Sequence, residues 1–225
     1  MEKKTALLAG ATGLIGNHLL HVLLGAGEYN KVIAVGRRPL NISHPKLEEV
    51  IIDLEKLEEN RMRLRADDVY CCLGTTIKKA GSRETMYRID VGYPVELARV
   101  TSEEGAERFL IVSSMNADPD SSIWYSRMKG ELEQQLNRID LPSLSIFRPS
   151  LLLGNRNEFR LGERAAAAVS TGLRFLFQGP FRKYRAIEGS TVAMAMYLTA
   201  QKESSGVSMY TSEQIENLAG SASQA

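Results

Sequence analysis

The sequence predicts an α/β chain built on a doubly wound parallel sheet, and three observations carry that expectation. Short, continuous apolar runs alternate with stretches of helical periodicity along most of the 225 residues. Within each run polar and apolar residues do not alternate, so helices must cover both faces of the sheet. A glycine-rich turn joins the first run to the first helical stretch.

The elements follow in order. Thr5–Ala9 reads as a buried strand. Leu14–Leu24 places Leu14, Ile15, Leu19, Leu20, Leu23 and Leu24 at helical spacing, with Gly25 and Gly27 as stop signals. Strands are expected at Lys31–Val35, Glu49–Asp53, Asp68–Leu73, Arg108–Val112 and Ser143–Phe147. Helices are expected at Glu84–Glu104, kinked or restarted at Pro94, and at Trp124–Asn137. The whole chain, 1–225, is read as one domain, and the small polar stretch Ala219–Ala225 is expected to be loose.

Composition narrows the possibilities. Hydrophobic residues make up 44% and charged residues 24%, which excludes a disordered or fibrous chain. The net charge of +1 gives no field that would draw the protein to nucleic acid or an anionic membrane. Neither Ala6–Ala9 nor Leu19–Ala26 is long enough for a signal core or a membrane span. Two adjacent cysteines, Cys71 and Cys72, make neither a disulfide framework nor a zinc site. The expectation is a reducing compartment and a cytoplasmic protein. His18, His21 and His44 lack partner ligands in the sequence, so no metal is expected.

The first strand runs into Gly10-Ala11-Thr12-Gly13-Leu14-Ile15-Gly16, where the helix begins. Glycines permit a tight turn and close approach to a pyrophosphate, and the helix N-terminus offers unpaired N–H groups. The spacing is G-x-x-G-x-x-G, and its place between strand and helix points to a dinucleotide-binding Rossmann fold. Thr12 is expected to cap the helix or touch phosphate. The second strand ends at Gly36-Arg37-Arg38 without the carboxylate that would bind an NAD ribose. A guanidinium grips a 2′-phosphate through paired hydrogen bonds, so the expected cofactor is NADP. Asp53 is expected to meet the adenine or to cap a surface helix.

Ser113-Ser114 follow the fifth strand, and Tyr125 stands eleven residues beyond Ser114 with Lys129 at i+4. Tyrosine and lysine at that spacing share one helix face. They follow the strand beside which the nicotinamide must lie. In a carbonyl reductase the ammonium would hold the nicotinamide ribose and favour the tyrosinate. The tyrosine would donate a proton and Ser114 would hold the carbonyl oxygen.

These motifs, with Cys72-Leu73-Gly74-Thr75-Thr76 and Arg148-Pro149-Ser150-Leu151-Leu152-Leu153-Gly154, occur in an order that resembles the atypical short-chain dehydrogenase/reductases. Nearest among them are the NAD(P)-binding oxidoreductases similar to the Tat-interacting protein, with NmrA-like proteins further off. The likeness extends through Tyr184-Arg185-Ala186-Ile187 and the helix after it. It implies that Leu73, Gly74 and Thr75 line the adenosine side, that Pro149 to Leu152, Leu151 among them, pass the nicotinamide, and that Arg37 and Arg38 select NADPH. It also implies a catalytic trio of Ser114, Tyr125 and Lys129. The portion after about residue 154 would supply a small substrate side or lid, with Phe175, Phe177 and Phe181 available to it.

The leading expectation is therefore an NADPH-dependent reductase of a small carbonyl or quinone substrate. The resemblance to NmrA-like proteins leaves a second reading, an NADP(H)-binding regulator acting through a protein partner that the sequence does not identify. A sugar-nucleotide epimerase is disfavoured by Arg37 in place of the acid and by the short C-terminal part.

Overall fold

The computed structural model describes residues 3–153 and 186–221. Their elements are β1 (Lys4–Ala9), α1 (Leu14–Gly25), β2 (Tyr29–Gly36), β3 (Leu47–Ile51), β4 (Asp68–Cys71), α2 (Ile77–Ala80) and α3 (Arg83–Tyr87). A π turn (Arg88–Gly92) leads into α4 (Tyr93–Glu103), followed by β5 (Arg108–Val112), α5 (Trp124–Leu136), β6 (Ser143–Arg148) and β7 (Leu152–Leu153). After the undescribed stretch come β8 (Ile187–Glu188), α6 (Gly189–Ala200), β9 (Gly206–Thr211) and α7 (Ser212–Ser221).

Seven described strands form one parallel sheet in the order β3-β2-β1-β4-β5-β6-β9. The chain steps outward from β1 to β3, then returns to the other side of β1 to lay down β4. The carboxyl ends of β1 and β4 therefore flank the switch point at which such sheets bind ligands.

The strands at the middle of the sheet carry buried apolar residues on both faces because each face has its own helical cover. Leu7 and Ala9 on β1 join Val69, Phe109 and Ile146 in a core with Leu97 of α4 and Leu132 of α5. Ala6 and Leu8 point the other way, into a core with Leu19 and Leu20 of α1 and Met196 of α6. The pleat thus divides one strand between two cores.

The 84–104 stretch restarts at Pro94 as the sequence indicates, with α3 and α4 joined by the π turn and Pro94 in the first turn of α4. Two details differ from the sequence expectations. β9 was not expected, because its exposed and half-buried residues carry no apolar run. It pairs with β6 in register, and Tyr210 stacks on Phe147 at 4.9 Å. Ala219, expected to be loose, belongs to α7, which continues to Ser221; residues 222–225 lie outside the described residues.

Candidate active site

β1 ends in Gly10, whose φ of +89° lies in the left-handed region. A Cβ at Gly10 would stand 2.6 Å from the Cys72 carbonyl carbon and oxygen, so only glycine lets the loop cross the end of β4. A Cβ at Gly16 would stand 2.1 Å from the Gly10 oxygen, so α1 packs directly on the turn. Gly13 N–H donates to the Gly10 oxygen at 2.9 Å and closes it.

Gly13 is also the residue that caps α1. Among the described residues no side chain hydrogen-bonds to the first turn, and no acid stands in it. Thr12 is exposed and does not supply the expected cap. The first-turn amides at Leu14, Ile15 and Gly16 thus have no side-chain acceptor among the described residues, beside a turn in which a Cβ at Gly10 or Gly16 would strike backbone. That is the geometry a pyrophosphate requires.

Around this cradle the structure places the other expected cofactor residues on the same sheet edge. Arg37 and Arg38 follow β2 and are exposed. Asp53 lies beyond β3 and accepts a hydrogen bond from the Glu55 amide at 3.2 Å, which realises the surface-cap alternative. Leu73, Gly74 and Thr75 leave β4, and Leu73 packs against the core beneath. Pro149 follows β6, and its carbonyl accepts from the Met115 amide at 3.1 Å. The Leu151 carbonyl accepts from the Ile187 amide at 2.8 Å.

Ser114 lies in the loop after β5, half-buried, with its carbonyl accepting from the Ala117 amide at 3.0 Å. Tyr125 and Lys129 stand one turn apart on α5. Tyr125 is half-buried, whereas Lys129 is 3% exposed. The Lys129 Nζ lies 3.0 Å from Asp90 Oδ1, a carboxylate buried in the π turn. Burial alone would push the Lys129 ammonium down, but the Asp90 carboxylate and Tyr125 outweigh it and hold it raised. Cys71, at the end of β4, is a thiol that burial pushes up to about 12.

One more turn along the same helix face stands Glu133. It accepts from the Ser113 hydroxyl at 2.5 Å and from Arg148 Nε at 3.0 Å, with Arg148 Nη2 on its second oxygen. This buried arrangement ties β5, α5 and β6 together next to Ser114. Neither Glu133 nor Asp90 was singled out from the sequence. Lys129-x-x-x-Glu133 repeats the spacing of Tyr125-x-x-x-Lys129 and was available as a signal. Asp90 carries no such signal, because a π turn is not visible in a helical pattern.

Gly154, Tyr184, Arg185 and the stretch 162–177, to which a substrate side was assigned, lie outside the described residues. Among the described residues no three His, Cys, Asp or Glu side chains gather to hold a metal ion. No described helix is long and apolar enough to cross a membrane.

Comparison with known proteins bears on this edge of the sheet. Residues 6–134 match the model of the NAD dependent epimerase/dehydratase family. Rattus norvegicus Protein HTATIP2 is 36% identical over 167 residues, 72% of this chain and 69% of that protein. The Saccharomyces cerevisiae Protein FMP52, mitochondrial, is 33% identical over 173 residues, 73% of this chain and 74% of that protein. Among solved structures, the Bordetella bronchiseptica enzyme WbmH in complex with NAD+ superposes with a TM-score of 0.71 at 15% identity. That likeness covers 99% of this chain and 81% of WbmH, and it concerns the fold.

Proposed function

Because the chain belongs to the NAD dependent epimerase/dehydratase family, we propose that it is an oxidoreductase using NADPH to reduce a small carbonyl or quinone compound. The observation that carries this reading is one sheet edge bearing a glycine cradle, an arginine pair and a tyrosine–lysine pair, with the lysine buried beside a carboxylate. When bound, the dinucleotide supplies a hydride.

The chain's own residues do the rest. Gly10, Gly13 and Gly16 admit the pyrophosphate, and the first-turn amides of α1 hold it. Arg37 and Arg38 hold the 2′-phosphate, and Leu73 to Thr75 line the adenosine side. Lys129 holds the nicotinamide ribose, and Pro149 and Leu151 flank the ring. Ser114 donates a hydrogen bond to the substrate oxygen. Tyr125 gives that oxygen its phenolic proton as the carbonyl carbon takes the hydride. A C–H and an O–H bond form, the C=O π bond breaks, and the tyrosinate is reprotonated from water.

Two measurements test the reading. Calorimetric titration with NADPH and NADH is expected to show a preference for NADPH that R37A and R38A reduce about ten-fold or more, in line with loss of a charge-assisted hydrogen bond. Equal affinities would remove the arginine argument. Tyr125→Phe is expected to abolish turnover across a panel of carbonyls and quinones while the NADPH Kd stays within about two-fold. Unchanged turnover would sink the mechanism. A cytoplasmic site of action fits the free thiols of Cys71 and Cys72. The fungal relative is named as mitochondrial, so fractionation of the source cell decides between the two compartments.

A further inference from the structure

Asp90 is 2% exposed, and both of its carboxylate oxygens are used. Oδ1 meets the Lys129 ammonium at 3.0 Å, and Oδ2 accepts from the Thr75 backbone N–H at 2.8 Å. A Cβ at Gly74 would stand 3.6 Å from Oδ1, so the loop leaving β4 lies against the same side chain. Asp90 sits in the π turn Arg88–Gly92 between α3 and α4. Insertions of this kind inside helices re-aim a side chain and recur at functional sites.

Among the described residues, the titratable groups that act on Lys129 are Asp90 from the π turn, Tyr125 one turn back on α5, and Cys71 from β4. Asp90 is the carboxylate among them. An ammonium this deeply buried keeps its charge only beside a matching one.

Resting on the dinucleotide reading above, we propose that Asp90 is a positioning residue, a single buried carboxylate that holds the catalytic-helix lysine charged and anchors the Leu73–Thr75 loop to it. The two ends of a bound dinucleotide are then gripped by groups fixed to one anchor. Lys129 meets the nicotinamide ribose while the loop meets the adenosine side, and neither can shift without the other. Its support in the electrostatics is the sign at Lys129, where Asp90 is the largest influence opposing burial.

The test uses Asp90→Asn, Asp90→Ala and the double variant D90N/K129M, first without nucleotide. Asparagine keeps an oxygen for the Thr75 amide but removes the counter-charge, so the native Lys129 value falls below its ordinary 10.5. A group depressed in the native state is protonated more in the unfolded chain, so its stability cost is greatest at low pH and fades as pH rises toward the unfolded value. The D90N deficit in urea midpoint is therefore expected to be widest at pH 7 and to narrow by about pH 10 as the variant's own penalty fades, while the share owed to the raised wild-type lysine persists until pH passes 10.5. D90N/K129M, which removes the buried ammonium as well, is expected to recover most of the pH 7 loss. A deficit of the same size from pH 7 to 10, with no recovery in the double variant, would show that Asp90 only fills space and would overturn the proposal. If D90A does not fold, the D90N cycle still decides.

Calorimetry with NADPH adds the second half. D90N is expected to raise Kd about ten-fold at pH 8, less at pH 6 where the lysine recharges, against a flat wild-type profile. A D90N Kd that matches the wild type at both pH values would overturn the anchoring role. Failure of the wild-type protein to bind NADPH would fail the functional reading, while the urea cycle would still report on the ion pair.

Discussion

The two ends of β4, three residues apart, show what a buried aspartate can be for. At the amino end, Asp68 is fully buried and accepts from the Tyr29 hydroxyl at 2.7 Å and Arg108 Nη1 at 3.0 Å, with Lys4 Nζ at 3.5 Å. Those donors come from β2, β5 and β1, so the carboxylate stitches strands together. The Tyr29 hydroxyl also meets Tyr70 at 2.8 Å and Gln201 at 3.0 Å. At the carboxyl end, Cys71 faces Lys129 and Asp90, and Asp90 serves a helix lysine and a loop amide. Both carboxylates are satisfied and both lie out of water. What separates them is the partner: strands that need holding at one edge, and groups able to meet a ligand at the other. Burial of a charge therefore marks an important position, and only its partners say whether the importance is to folding or to chemistry.

The largest expected effect tests the amino edge. Asp68→Ala takes from Arg108 and Lys4 their shared buried counter-charge, leaving Arg108 its contact with Glu107 at 2.9 Å, and leaves the Tyr29 hydroxyl short of an acceptor. Removing one partner of a buried ion pair costs about 3 kcal/mol or more. Urea unfolding should show that loss, while the NADPH Kd of the folded variant stays within about two-fold of the wild type. A ten-fold change in Kd with little loss of stability would reverse the assignment of the two edges.

How far this division was legible in the sequence depends on the kind of signal. Gly10, Gly13 and Gly16 stood out because glycine is needed where a Cβ would strike Cys72 or Gly10, a requirement written in residue type and spacing. Arg37 and Arg38 stood out by replacing an expected acid. Tyr125 and Lys129 were found by their i, i+4 spacing. Asp90 was not found, because its role depends on a π turn that rotates it inward and on a partner 39 residues away in the chain. β9 was missed for a related reason. An edge strand with exposed Val207 and Met209 draws its identity from pairing with β6, not from its own pattern. Local signals were readable; those created by long-range pairing were not.

A smaller effect sharpens the comparison from within β4. Burial keeps the Cys71 thiol protonated up to about 12, against an ordinary value of 9.0. Between those values the unfolded chain has lost a proton that the native chain keeps. The thiol's contribution is therefore complete below pH 9 and lost as pH rises, approaching about 1.4 kcal/mol per pH unit. Cys72 is raised by burial as well, so the two thiols act together before tyrosines and lysines ionise in the unfolded chain. Cys71→Ala should flatten the fall in unfolding free energy between pH 9 and 10 by up to one thiol's share. An unchanged slope would mean that the carboxyl end of β4 is open to solvent, unlike the amino end.

The smallest effect lies at the rim of the carboxyl edge. The Arg83 guanidinium stands 5.3 Å from the centroid of the Trp124 ring, directly before Tyr125 at the start of α5. An exposed cation–π contact of this kind contributes roughly 0.5 kcal/mol. Arg83→Ala should lower urea stability by about that much and leave the NADPH Kd unchanged, because the contact fixes a ring outside the groups assigned to the cofactor. Turnover is the measurement that can surprise. If Arg83→Ala lowers kcat ten-fold while stability moves by only about 0.5 kcal/mol, the α2–α3 segment takes part in closing over the tyrosine. The contrast would then lie between a fixed amino edge and a carboxyl edge whose cover is held by single weak contacts, as a segment that must open for substrate requires.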